Sequence, residues 1–280
     1  MDFYILSYMK LLSKSNAKLV KGEKLGWLTL GLSLAPYTMS GKNLCPNATL
    51  GCSTACLFSA GMGRFPNVKA ARIAKAQFFN NNQSTFLIQL QKEIAAGVKK
   101  AAKLNQKLAV RLNVLSDVPW ERLGIIQKFP TVQFYDYTKS PFRALQFAAG
   151  KMPANYHLTF SRSENNAVAV NEVSNAGVNV AVVFRGELPA TWQGKTVVSG
   201  DESDLRFLDL SNVIVGLVQK GLAKKDATGF VVEAENAKSA SAEIVLMTVG
   251  ELLATNRKTA AYVWNGNFFL RYSSLRRPNK

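Results

Sequence analysis

Apolar positions along the chain fall into short runs separated by longer amphipathic stretches. Thr29-Leu30-Gly31-Leu32-Ser33-Leu34-Ala35 alternates and reads as a strand. Residues 67–79 and 84–104 repeat at helical spacing, and the second stretch sets Phe86, Leu87, Leu90, Ile94 and Val98 on one face. A second strand, 108–115, ends at Ser116-Asp117, and a short helix is expected over 120–129. Strands at 132–137, 156–160, 178–184 and 213–218 follow, with helices at 141–149 and 167–175. Short apolar strands alternating with helices predict βαβ units, hence an α/β fold built on a parallel sheet, here a partial or irregular (β/α) barrel. From Asp226 the rhythm changes: a helix is expected over 243–253 and a polar-aromatic hairpin over 262–272, around Asn265-Gly266. The expected organisation is a barrel-like domain over 1–225 and a C-terminal appendage over 226–280.

Each strand ends in a hydrophilic cluster: Asn113/Ser116/Asp117, Tyr135/Asp136/Lys139, Ser161/Arg162/Ser163/Glu164, Arg185/Glu187 and Gln219/Lys220. The carboxyl ends of parallel strands form the ligand-binding rim of such folds. Five clusters in succession therefore predict a site along that edge.

Composition changes the picture in one respect. A 280-residue chain that is 48% hydrophobic and 19% charged is long enough for a packed core and is not a disordered chain. No run of about 18 uncharged apolar residues exists, so no membrane-spanning helix is expected. The charge, however, is +17, from 35 Lys+Arg against 18 Asp+Glu. Such a potential favours polyanions, and nucleic acid is the expected partner because each neutralised phosphate releases a counterion. The start of the chain, with Asp2 before the apolar run and Lys10 and Lys14 soon after it, does not read as a secretory signal. The expected location is the cytoplasm, where thiols stay reduced.

All three cysteines, Cys45, Cys52 and Cys56, lie within twelve residues. An odd count in a reducing compartment argues against a disulfide framework and for ligation of a metal or cluster. Cys52 and Cys56 are one helical turn apart, with Cys45 reaching in from a loop that Pro46, Asn47 and Gly51 allow to turn. Thiolates suit zinc or an iron–sulfur cluster. Zinc wants a fourth ligand, and His157 is the single histidine; a four-iron cluster held by three cysteines keeps one iron open for a small molecule. Three buried, unliganded thiols are the remaining reading.

A three-cysteine loop directly after the first strand of a parallel α/β barrel resembles the radical S-adenosylmethionine enzymes. The likeness is one of architecture, with Cys-x6-Cys-x3-Cys here where those enzymes have Cys-x3-Cys-x2-Cys. The resemblance implies that Cys45, Cys52 and Cys56 hold a 4Fe-4S cluster and that S-adenosylmethionine binds its open iron. It implies further that Asn113, Ser116 and Asp117 face the cofactor's amino group, that Arg162 pairs with its carboxylate, and that Ser161 or Glu164, beside Ser163, meets its ribose hydroxyls. Asp117, Tyr135, Asp136 and Lys139 then form the candidate catalytic set, with Arg185 on the same rim, and a reductant protein supplies electrons. Leu44-Cys45-Pro46, Ala71-Arg72-Ile73-Ala74-Lys75 and Asp117-Val118-Pro119-Trp120-Glu121 are also similar to an uncharacterised family of bacteriophage-encoded proteins, over about residues 25–230. That likeness implies the host cytoplasm as the setting.

Other chemistries find little support. Gly61-Met62-Gly63-Arg64 lacks the ending of a phosphate loop, no nucleophile elbow is present, and one histidine leaves little room for a triad. Asp201, Glu202, Asp204 and Asp209 are expected to cap and pair, with Arg206 as partner, rather than to bind a divalent metal. His157 is expected to be packed, and Trp120 and Phe134 to be core. Arg271, Arg276, Arg277 and Lys280 read as a solvated tail that, with Tyr272, suits a phosphate backbone.

Overall fold

The computed structural model describes residues 9–14, 22–234, 261–264 and 269–272. The chain divides into two compact units, Met1–Ala234 and Glu235–Lys280. In the first, ten strands form one sheet: β1 (Leu12–Ser13), β2 (Trp27–Leu32), β3 (Lys107–Arg111), β4 (Gln133–Thr138), β5 (Tyr156–Ser161), β6 (Val180–Arg185), β7 (Thr191–Trp192), β8 (Lys195–Ser199), β9 (Ile214–Val218) and β10 (Val231–Glu233). Their order is β1-β2-β3-β4-β5-β6-β9-β8-β7, with β10 paired to β6. From β2 to β9 every neighbouring pair is parallel, and strands follow one another in sequence order as they do in a barrel wall. Two-residue antiparallel strands, β1 and β7, blunt the two edges. Among the described residues the sheet does not close on itself.

A short helix, α1 (Leu50–Thr54), lies in the cysteine loop and ends before Cys56, so Cys52 and Cys56 do not share a helical face. The helices expected at 67–79, 84–104, 141–149 and 167–175 form as α2 (Pro66–Asn81), α3 (Gln83–Lys103), α4 (Pro141–Ala148) and α5 (Ala167–Asn175). Proline at the first turn starts both α2 and α4, and the Ser140 hydroxyl caps α4 by accepting from the Arg143 N–H. Phe86, Leu90 and Ile94 of α3 are buried together with Leu28, Leu108, Val110 and Phe134 from the sheet. Farther along, Val170 and Val173 of α5 pack with Phe160, Val180, Val182 and Phe184. Helices therefore cover one face.

The other face is filled by the segment after β8. Phe207 stacks edge-on to Trp27 (4.8 Å) and Tyr135 (5.5 Å), while Asp204 takes Arg111 at 3.0 Å and the Tyr135 hydroxyl at 3.1 Å. Arg206, 1% exposed, faces Asp209 at 3.1 Å. Asp201, Asp204 and Asp209 thus pair, with Lys220, Arg111 and Arg206, and this polar plug packs on the face of the sheet opposite the helices.

Some elements differ from expectation. Residues 120–129 form a single helical turn, Trp120–Leu123, because Pro119 precedes it and Gly124 ends it at φ 69°. β1, β7, β8 and β10 are short or only half-buried, so their apolar signal is weak. The expected helix at 243–253 lies outside the described residues. Within the second unit, β11 (Ala261–Trp264) and β12 (Phe269–Tyr272) pair antiparallel, as the hairpin reading requires. No helix among the described residues is long and apolar enough to cross a membrane.

Candidate metal centre at the cysteine loop

The chain leaves β2 at the carboxyl edge of the sheet and enters the cysteine loop there. Cys45 is held on the loop that follows β3: its N–H donates to Asn43 Oδ1, its thiol donates to the Leu115 carbonyl at 3.5 Å, and the Asp117 N–H donates to the Leu44 carbonyl at 2.8 Å. Thr49 caps α1 by accepting from the Cys52 N–H. Glu164, from the end of β5, accepts from the Gly51 N–H and the Thr49 hydroxyl, each at 2.7 Å, and so fixes the start of α1. Only glycine fits at 51, where a Cβ would lie 2.3 Å from Thr228 Oγ1 and 2.6 Å from Phe230 Cβ. Past α1, Arg72 donates to the Phe58 carbonyl at 2.7 Å and lies over the Phe58 ring.

β10 completes this edge. β6 pairs first with β5 (Phe160↔Val180, Ser161↔Ala181) and then with β10 (Val231↔Val183, Val232↔Phe184, Glu233↔Arg185). The far edge of β6 is taken along its length by β9, so β10 enters on the side that β5 vacates. Arg162 donates to the Gly229 and Phe230 carbonyls, and Arg185 grips the carbonyls of Lys224 and Asp226 together with Glu233. Phe230 and Val231 are thereby set beside Cys52, Ala55 and Ala223.

The residues after β3 and β4 form a buried polar network. Asn113 Oδ1 accepts from the Ser116 hydroxyl, the Val118 N–H and Trp120 Nε1, and its own amide donates to the Val118 carbonyl. Asp136 accepts from the Asn113 N–H (2.6 Å) and the Tyr156 hydroxyl (2.9 Å); burial nonetheless pushes its carboxyl up to about 7. Arg143, 4% exposed, forks onto Glu121 at 2.9 Å and reaches Asp117, while Asp117 accepts from the Lys139 N–H. Two loops of the rim are thus locked together by charge-assisted bonds.

The structure gathers Asn113, Ser116, Asp117, Lys139, Arg162 and Glu164 at the edge that carries the cysteines, and Arg185 secures β10. Tyr135 instead faces the plug, and Asp136 lies in the network on the helix-covered face. Ser163 is buried, with its N–H donating to Asn166 Oδ1, and the Ser161 carbonyl accepts from the Asn166 amide. His157 lies edge-on to Phe147 at 5.1 Å, and burial lowers its pKa to about 4. Of the expected cofactor ligands, Glu164 uses its side chain to position the cysteine loop, and Arg162 and Arg185 use theirs to hold β10 and the segment before it. The sequence assigns no role in the site to Thr49, Arg72 or Phe230, and to Gly51 only a turn. One signal was available: between Glu23 and Glu93 there is no Asp or Glu, against Lys24, Lys42, Arg64, Lys69, Arg72, Lys75 and Lys92.

The three thiols are half-buried and lie within electrostatic reach of one another. Burial pushes Cys45 up to about 11 and raises Cys56, whereas Lys139 and Arg72 pull Cys56 down. Among the described residues, no group of three or more His, Cys, Asp or Glu side chains is arranged to hold a metal ion. In kind, three sulfurs on one loop are soft donors, with Arg72 and Lys139 beside Cys56 and Asp117 beside Cys45. Loading must displace thiol protons and draw the sulfurs together.

A family model described as Gene product 88 matches residues 10–234. No curated protein and no solved structure matches the chain. The matched span holds the cysteine loop, the whole sheet and the rim, and it stops where the first compact unit stops, after Ala234; the chain belongs to the phage-type family GP88, Gene product 88.

Proposed function

We propose that this protein is an iron–sulfur protein that acts on or beside nucleic acid. In this reading Cys45, Cys52 and Cys56 hold a four-iron cluster and leave one iron open to a small molecule, S-adenosylmethionine in the radical-enzyme version. The observation that carries the proposal is the meeting of the three cysteines on one loop after β2, with Arg72 and Lys139 beside Cys56. When bound, such a cluster supplies one-electron chemistry. The chain's own residues do the positioning. Glu164 and Thr49 orient α1, the Arg143 network fixes the loop beneath Cys45, and Arg162 secures Phe230 against Cys52. Lys139, whose ammonium lies 5.7 Å from the Phe230 ring centre, is the cation we assign to a carboxylate on the visiting molecule.

The test is purification without oxygen, with iron and sulfide assays and a visible spectrum, on the intact chain and on each Cys→Ser variant. Bound iron and sulfide that every single substitution depletes are expected. Colourless protein with no iron after reconstitution would sink the proposal. A second reading has the cluster, or zinc, serving only to staple the loop, and the many bonds that already pin α1 favour it. Release of 5′-deoxyadenosine from S-adenosylmethionine under a strong reductant separates the two: release supports the radical reading, and a loaded cluster without release supports the staple.

A further inference from the structure

The acid-free run between Glu23 and Glu93 contains the whole cysteine loop. Along it, large apolar side chains stand in solvent: Tyr37, Met39, Leu50, Leu57, Met62 and Phe65. Along the chain they do not form one apolar run, because polar residues and the exposed cations Lys42 and Arg64 interrupt them. Two of the exposed aromatics carry their own guanidinium. Arg64 lies 5.2 Å over Phe65, and Arg122 lies 5.8 Å over Phe142, which is 57% exposed at the start of α4 on the same edge of the sheet.

A contiguous apolar patch would suit a protein partner. Cations interleaved with separate aromatic platforms, most of them on a stretch from 24 to 92 that holds no carboxylate, match a strand that alternates phosphate and unpaired base. We infer that the rim around the cysteine loop binds single-stranded nucleic acid, with Lys42, Arg64 and Arg122 neutralising phosphates and Tyr37, Phe65 and Phe142 stacking on bases. This deepens the proposed function and rests on it for the partner's class, while locating the contact and choosing the single strand. An acidic protein face is the competing occupant.

The test is fluorescence anisotropy of a labelled single-stranded DNA of roughly 12 nucleotides, a length within the range one such site covers. Binding is compared with that of the matching duplex and competed with polyglutamate. The triple variant Lys42→Glu/Arg64→Glu/Arg122→Glu should weaken binding by at least about tenfold and shrink the salt slope by about 2. The matched variant Lys99→Glu/Lys100→Glu/Lys103→Glu, at the opposite edge, should leave binding within about twofold, since it alters only the long-range field. Phe65→Ala/Phe142→Ala should weaken single-strand binding while sparing the salt slope. Equal loss in both charge variants, preference for duplex, or displacement by polyglutamate as effective as by unlabelled strand overturns the inference. Iron is assayed on the same samples. Protein that holds iron but ignores the strand removes this surface and keeps the cluster; protein that binds the strand without iron does the reverse.

Discussion

Arg143 is the residue on which the rim depends. It is buried with two carboxylates, Asp117 and Glu121, and also touches the Tyr156 hydroxyl that donates to Asp136. Arg143→Met would strand those carboxylates without a cation and should cost about 3–5 kcal/mol in urea unfolding. Arg143→Lys keeps the charge but loses the fork, so its cost should fall between the two. His157 offers a pH test. Its folded pKa, about 4, lies below the unfolded 6.5, so the stability it contributes is present above pH 6.5 and is lost as pH falls toward 4. Thermal unfolding of His157→Leu should therefore decline less than that of the parent over that window; parallel declines would refute the assignment. Cys45, pushed up to about 11 by burial, is a thiol at neutral pH. Cobalt(II) titration of the iron-free chain should thus release up to about three protons per ion and weaken as pH falls. Asn113 and Asp117 were legible as polar strand ends, but not their commitment to Asp136 and Arg143, because hydrogen-bond partners from different loops leave no periodic trace.

At the scale of elements, β10 and α1 make the site and are the least legible parts of it. The strands from β2 to β6 declare themselves through runs of Leu, Val and Phe that are buried on both faces of a parallel sheet. β10 has three residues, and it exists as a strand because β5 turns away at Arg162 and leaves half an edge of β6 unpaired. The five residues of α1 are too few to be stable alone, so Thr49, Glu164 and the wall of Thr228 and Phe230 define the helix. Gly51→Ala drives a Cβ into that wall. It should cost about 1–3 kcal/mol, and it should speed alkylation of Cys52 as α1 lifts from Phe230, measured by mass spectrometry under native conditions. Unchanged stability and reactivity would mean that the wall yields freely.

The first unit joins a barrel-like strand order to a sheet that, among the described residues, does not close, with the face opposite the helices occupied by Asp204, Phe207 and their neighbours. The contacts of the first unit close within Met1–Ala234, and the family match ends at the same place. A chain ending after Ala234 should keep cooperative unfolding, and loss of cooperativity would show that later residues complete its core. By itself the sequence determined the parallel α/β class, the strands and long helices, the excess of positive charge and the clustering of three cysteines, since periodicity, composition and spacing are local properties. Tertiary structure alone decided that the plug covers the face opposite the helices, that Tyr135 points into it, and that β10 enters beside β6. It also decided that Glu164 and Asp117 hold the cysteine loop in place and that Arg162 holds the segment leading into β10. Each of these depends on contacts between residues far apart in the chain, and such contacts are settled by which buried polar groups find partners once the sheet has formed.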